Sequence, residues 1–300
     1  MTAVRGVNAA AVTPRREGPE IDLAATFELL EFLSASGVSG IALLGSTGDF
    51  LHFDLAERLR LLVLGVKRSR VPVLAGVGHS SLEGALTLGR EAAYAGAAAL
   101  LLMPPYFFRY SQEEVKEFYL RFAAELKEAI PILLYNIPFF TTEITAETAL
   151  ELLSTGLFAG IKDSSGDFDQ FLRLRAARER APFTLLVGND VIFTRARRAG
   201  ADGVVSGVAC AVPELMLALE GAIAAGAAEK IERLEARLQE FIAWLDRFPA
   251  PLGVREAVAL RGIKVGPPAT PLGPRAEREL GEFREWFNGW LPAVRKDAQS

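Results

Sequence analysis

The feature that most constrains this chain is an alternation repeated eight times. Short apolar runs, each flanked by Gly, Pro, Ser or Asn, take turns with stretches whose apolar residues recur three and four apart. The runs are "VNAAAVTP" (7–14), "SGIALLGS" (39–46), "VPVLAGVG" (71–78), "AAALLLMPP" (97–105), "IPILLYNIP" (130–138), "FAGIKDSS" (158–165), "FTLLVGND" (183–190) and "DGVVSGVA" (202–209). They are apolar throughout rather than at every second position, as expected of strands covered on both faces, and such strands pair in parallel. Between them, "LAERLRLLVLGVKR" (55–68) and "SQEEVKEFYLRFAAELKEA" (111–129) carry charges opposite an apolar stripe, which predicts helices. Ser111 with Glu114 fits a capping box, and Asp54 with Glu57 a weaker one. Eight strand-helix units in about 220 residues predict an α/β fold, a (β/α)8 TIM barrel, rather than an open doubly wound sheet.

Past Ala225 the pattern turns purely helical, with segments at 228–248, 254–264 and 275–287, the last two separated by Pro-rich "VGPPATPLGP". Residues 1–225 are therefore expected to form the barrel and 226–300 a C-terminal helical extension packed on it. Half of the 300 residues are apolar, ample for a large core without metal or disulfide support. A formal net charge of −4 and short basic runs argue against a nucleic-acid or anionic-membrane partner, leaving small molecules. Cys210 is the sole cysteine, no basic stretch leads into an apolar leader, and no apolar run reaches membrane-span length, so the cytoplasm is expected.

A barrel of this kind carries its chemistry at the carboxyl ends of its strands. One residue there is out of character. In "FAGIKDSS" side chains alternate, so Phe158, Gly160 and Lys162 share a face while Ala159 and Ile161 share the other. The apolar pair suits the helix side, which sends Lys162 into the barrel mouth above a glycine. Burial disfavours an ammonium, and a neutral amine attacks carbonyls, so Lys162 is a candidate Schiff-base nucleophile. The competing reading is a lysine that snorkels to the rim or pairs with Asp163 or Asp167.

Tyr135 closes "PILLY" one strand earlier, on the face of Leu133, where its phenol can shuttle protons beside an amine; the alternative is a core tyrosine with a satisfied hydroxyl. In "GSTG", Ser46 and Thr47 offer two hydroxyls. Gly45 and Gly48 allow close approach to backbone N–H groups that could hold a small carboxylate, although such clusters often only turn the chain. "GVGHSS" lacks the third glycine of a dinucleotide loop, and His52 and His79 show no metal-ligand spacing, so no metal is expected. "GND" (188–190) offers little for a phosphate group, which weighs against a phosphate-gripping aldolase.

With these pieces in order, "GSTGD", "YNIP" and "GIKDSSGD" resemble the pyruvate-dependent lyase family that includes dihydrodipicolinate synthase and N-acetylneuraminate lyase. The resemblance spans the chain, including "AVTP", "MPPYFFRYSQEE", "GND" and the helical tail. It implies a barrel with a helical tail, a homotetramer built as a dimer of dimers, and chemistry without a cofactor. It also implies that Lys162 forms a covalent imine with pyruvate or another 2-oxo acid, that Tyr135 relays protons, and that Ser46 and Thr47 bind the carboxylate. Val205 and Gly188 match positions lining the pyruvate site.

Two positions depart from the best-known member. Phe140 stands where dihydrodipicolinate synthases place an arginine that grips the second substrate's carboxylate, and Phe107 stands where they place a tyrosine from the neighbouring subunit. Phenylalanine cannot supply the bidentate charged clamp of arginine. The sugar-reading residues of the lyases are likewise replaced, by Phe139 and Phe140. The expected activity is a class I lyase or aldolase joining or cleaving a 4-hydroxy-2-oxo or 2-oxo-3-deoxy acid into a 2-oxo acid and an aldehyde. A dihydrodipicolinate synthase with a replaced clamp and a non-catalytic 2-oxo acid binder are the alternatives. The four phenylalanines near the mouth either face a partly apolar second substrate or pack at a dimer contact, and Arg109 is a candidate for a distal carboxylate.

Overall fold

The computed structural model describes residues 4–126 and 130–300. Eight strands, β1 (Gly6–Ala10), β2 (Gly40–Leu43), β3 (Val73–Gly76), β4 (Ala99–Leu102), β5 (Ile132–Asn136), β6 (Gly160–Asp163), β7 (Thr184–Val187) and β8 (Gly203–Ser206), run in sequence order. All neighbours are parallel and β8 pairs with β1, so the sheet closes into the expected barrel. Each strand spans four or five residues, shorter than its apolar run, because the flanking residues of the run lie in the loops before and after the strand.

Helices α1 (Leu23–Ser36), α2 (Leu55–Arg68), α3 (Leu82–Ala95), α4 (Gln112–Leu126), α5 (Ala146–Ser154), α6 (Phe168–Ala177) and α7 (Phe193–Arg198) follow the first seven strands. Most start on a side chain that accepts a bond from a free N–H of the first turn: Asp22, Asp54, Ser81, Thr145 and Asp167 do so. The capping box before α4 is complete, with Ser111 N donating to Glu114 Oε2 at 2.8 Å and Glu114 N to Ser111 Oγ at 3.3 Å. The one before α2 is one-sided, since Glu57 instead accepts from Ile21 N at 2.7 Å. The expected helix at 111–129 ends, as far as it can be followed, at Leu126; residues 127–129 lie outside the described part.

Register decides what faces the interior. In a parallel barrel, residues paired across neighbouring strands point the same way. Tyr135 pairs with Lys162, Lys162 with Leu186, Leu186 with Gly203, and Asn8 with Val205, so this set faces inward while Asn136, Asp163, Val187 and Ser206 face the helices. Glycine at two interior positions makes the layer possible: a Cβ on Gly160 would lie 2.1 Å from the Thr184 carbonyl oxygen, and one on Gly203 2.2 Å from that of Gly6.

After β8 come α8 (Val208–Ala211), α9 (Pro213–Ala225), α10 (Ala228–Leu245), α11 (Leu252–Leu260) and α12 (Pro274–Gln299). The tail helices pack on α8 and α9 and on one another. Phe241 anchors this packing, its ring stacked on Trp290 at 5.3 Å and near Phe283 and Phe287. The first tail helix stops at Leu245 rather than 248 and the middle one starts at Leu252 rather than 254; two ends differ by more. The middle tail helix ends at Leu260 rather than 264, because Gly262 turns the backbone to φ +86°. The last one runs twelve residues beyond 287, through Pro292, because Trp290, Leu291 and Val294 extend its buried stripe. Buried Arg255 fastens α11 to the barrel rim by donating to the carbonyls of Thr13 (2.9 Å) and Val265 (2.7 Å).

Candidate active site

Lys162 is 4% exposed and Tyr135 is fully buried, side by side at the tops of β6 and β5. The Lys162 Nζ lies 3.7 Å from the centre of the Tyr135 ring. The Tyr135 hydroxyl and Ser46 Oγ are 3.0 Å apart, which brings in the loop after β2. Burial alone would raise the Tyr135 phenol, but the Lys162 charge and hydrogen bonds from Lys162 and Ser46 outweigh it, and its pKa falls below the ordinary value. A phenol so tuned is a better proton donor next to an amine than a free tyrosine.

Both rival readings of the lysine are answered by its neighbours. Lys162 does not snorkel to the rim. Asp163 points outward and accepts from Asn136 Nδ2 at 2.9 Å, Ser165 N at 3.1 Å and Ser165 Oγ at 3.0 Å; Asp167 caps α6. Asn136 in turn accepts from Ile144 N at 2.9 Å. The second letters of "YN" and "KD" thus bolt the two strands together on the helix side and hold Tyr135 and Lys162 in register on the other. This pairing escaped the sequence reading, as register is not written in either motif alone.

Thr47 sits across the mouth, its Oγ1 3.5 Å from where a Cβ on Gly207 would stand, just beyond β8. The Gly48 N–H donates to the Gly45 carbonyl at 3.0 Å, so it serves the turn itself. A Cβ on Gly48 would come within 3.1 Å of Leu44 backbone atoms, which accounts for the glycine. Val205 is buried on the inward face of β8. Gly188 touches the centre directly: a Cβ there would fall 1.9 Å from Ser164 Oγ and 2.7 Å from Lys162 Cε.

One group at the centre was not anticipated as part of it. Asp190, directly after "GN", accepts from Val208 N at 3.3 Å through Oδ2, while its Oδ1 is buried without a partner. Burial raises its pKa, against partial relief from the Ser206 hydroxyl, the Val208 amide and the Lys162 charge. Ser164 Oγ is likewise buried and unpartnered. In sequence both belong to polar turn stretches and carry no sign of burial.

Above this centre opens a cavity of about 740 Å³, reached past Ser46. Phe107, Phe108 and Phe140 border it, at 87%, 65% and 55% exposure, while Phe139 is not among its walls. Arg109, considered for a distal carboxylate, turns instead to the Thr141 carbonyl. Among the described residues no three His, Cys, Asp or Glu side chains converge as metal ligands would, and no helix is long and apolar enough to cross a membrane.

The family model described as the dihydrodipicolinate synthetase family matches residues 3–288. The chain belongs to that family. It is 31% identical over 282 residues, 94% of this chain and 95% of the relative, to 4-hydroxy-tetrahydrodipicolinate synthase of Methanothrix thermoacetophila. It is 30% identical over 284 residues, 94% of each chain, to N-acetylneuraminate lyase of Rhizobium meliloti. The structure of the 4-hydroxy-tetrahydrodipicolinate synthase from Methylacidiphilum fumariolicum SolV superimposes with a TM-score of 0.87 at 28% identity, covering 98% of this chain and 99% of that one. A synthase and a lyase lie at nearly equal distance, so overall similarity does not choose between their reactions.

Proposed function

We propose that this protein is a class I lyase or aldolase that forms an imine between Lys162 and pyruvate or a related 2-oxo acid, and makes or breaks the carbon–carbon bond next to it. The observation that carries the reading is the buried amine 3.7 Å from the ring of a phenol that is itself bonded to Ser46. The Lys162 nitrogen adds to the C2 carbonyl, and the resulting carbinolamine loses water with Tyr135 passing the proton. Cleavage of C3–C4, or loss of a C3 proton, then leaves an enamine; water finally releases the 2-oxo acid and restores the amine. In this reading Ser46 and Thr47 hold the carboxylate, Gly48 and Val205 shape its seat, and Gly188 leaves room for the lysine stem. Phe107 and Phe140 border the approach of the aldehyde. No cofactor takes part, the protein works in the cytoplasm, and it assembles as a homotetramer of paired dimers, which would cover the exposed Phe139.

Borohydride added with pyruvate is expected to leave a reduced three-carbon adduct on Lys162, located by peptide mass spectrometry. No adduct, or one on another lysine, would remove the mechanism. Synthesis of 4-hydroxy-tetrahydrodipicolinate is the second reading, favoured by the name of the Methanothrix relative. Measurable turnover of pyruvate with aspartate semialdehyde at saturation would establish it.

A further inference from the structure

The cavity that opens at Ser46, the hydrogen-bond partner of Tyr135, is built for a particular kind of molecule. Its volume of about 740 Å³ lies within the range of small-molecule sites, and pyruvate alone would leave most of it empty. Phe107, Phe108 and Phe140 form one side, the first two rings edge to face at 5.0 Å; Met103, Tyr106 and Ile137 continue the apolar wall. Among the described residues, no arginine or lysine borders the space. The ionisable side chains on the wall besides the tyrosines are Asp49 and His52, 3.4 Å apart, so the fixed charge there is acidic.

The guanidinium groups behind the wall are turned to backbone carbonyls, although Arg58 keeps its Nε buried without a partner. Arg58 is buried, donates to the Gly78 carbonyl at 2.5 Å and lies over the outer face of Phe50 at 4.8 Å. Arg109 is held by the Thr141 carbonyl. A carboxylate entering the cavity would therefore lose its water and meet Asp49 rather than a positive charge, which is unfavourable. A polyhydroxylated chain could reach the hydroxyls of Ser46, Ser80, Tyr106, Tyr110 and Thr141 but would leave the rings of Phe50, Phe107, Phe108 and Phe140 without an apolar partner, which a flat apolar group supplies.

We propose that the second substrate is an uncharged aldehyde carrying a flat apolar group, an aryl aldehyde in the simplest case. This rests on the imine reading above. The enamine carbon C3 forms the new bond to the aldehyde carbon, the aldehyde oxygen takes a proton through Tyr135, and water hydrolyses the imine. The product is a 4-aryl-4-hydroxy-2-oxo acid; no electrons are exchanged, and cleavage runs the same steps backwards. Phe140 is the residue that sets the preference.

The test uses the full-length protein with pyruvate and, in separate reactions, benzaldehyde, aspartate semialdehyde and glyceraldehyde, with product followed by mass spectrometry. Benzaldehyde is expected to show a kcat/KM at least roughly tenfold above the other two, the scale a pocket contact can impose. Phe140→Arg should cost benzaldehyde about tenfold and raise aspartate semialdehyde, whereas Phe140→Leu, which keeps the wall apolar, should preserve the order. Borohydride trapping of pyruvate on Lys162 is measured on each variant. Normal trapping with no benzaldehyde turnover, with equal rates, or with preference for the anionic or hydroxylated aldehyde overturns the substrate class and leaves the imine reading standing. Loss of trapping in the unaltered protein brings down both.

Discussion

The inner ring of the barrel mouth and the cavity above it are built on opposite principles. Lys162, Tyr135 and Val205 stand on adjacent or near strands, buried, with their directions fixed by register and by the Asn136–Asp163 bond at 2.9 Å behind them. Phe107, Phe108 and Phe140 stand on loops, more than half exposed, and Phe107 sits at φ +84°, a conformation that side chains with a Cβ seldom adopt. Reaction chemistry needs groups held within a fraction of an ångström, which strands provide. Substrate choice needs a surface that can be exchanged without disturbing them, which loops provide. The similar identity to a synthase and to a lyase, 31% and 30%, leaves the choice of reaction to local residues of this kind rather than to overall likeness.

The sharpest way to break the comparison is to remove its centre. Lys162→Ala is expected to abolish the borohydride adduct and to lower turnover on the order of 10⁴-fold or more, with the barrel still folded by circular dichroism. Retained turnover would show that the ring is not where the chemistry happens. Tyr135→Phe should be milder, roughly 10²- to 10⁴-fold in kcat, because the amine remains and only its proton partner is lost. The adduct should still form in that variant, more slowly. An unchanged kcat would reduce Tyr135 to a core residue.

How much of this was legible beforehand follows the same line. Lys162 could be placed inward because strand alternation and the glycine two residues before it are local facts. Tyr135, the last residue of the preceding strand's apolar run "PILLY", could be set beside that amine, but the Asn136–Asp163 bond behind the pair depends on which residue of β5 meets which of β6, and neither segment states that alone. Asp190 was missed for a related reason: "GND" has the composition of a turn, and only the arrival of the loop after β8 makes its carboxylate a buried one. On the rim, the phenylalanines could be seen as unusual, but whether each faced the cavity or the outside waited on loop geometry, which separates Phe140 from its neighbour Phe139. In the tail, "NGWLP" contains three residues that usually end helices, yet burial of Trp290, Leu291 and Val294 carries α12 through them.

A smaller change within the ring tests its tightness. Gly188→Ala places a methyl group 1.9 Å from Ser164 Oγ and 2.7 Å from Lys162 Cε, so both must yield. The expected result is a loss of roughly tenfold or more in kcat with little change in folding, since a displacement near 1 Å at the reacting group is costly. Adding Ser164→Gly removes the nearer obstacle and should restore part of the rate. Comparable substitution on the rim, Phe139→Ala, should leave kcat/KM within about twofold, because that ring does not border the cavity.

The smallest effect concerns stability, and it separates two buried acids that look alike. Burial raises the pKa of both Asp163 and Asp190. A carboxyl whose folded pKa exceeds its unfolded value favours folding most below the unfolded value, near 3.9, and that contribution is lost as pH rises through the folded value. Asp190 carries one oxygen with no partner, so Asp190→Asn should remove this slope and raise Tm at pH 8 by something on the order of 2 °C. Asp163 has its oxygens engaged by Asn136 and Ser165, so Asp163→Asn should lower Tm at the same pH by breaking those bonds. Melting curves of the two variants between pH 5 and 8 decide the matter. If Asp190→Asn melts lower than the parent across that range, its carboxylate is held by a favourable contact to the Lys162 charge that outweighs burial, and Asp190 is then a supporting member of the inner ring.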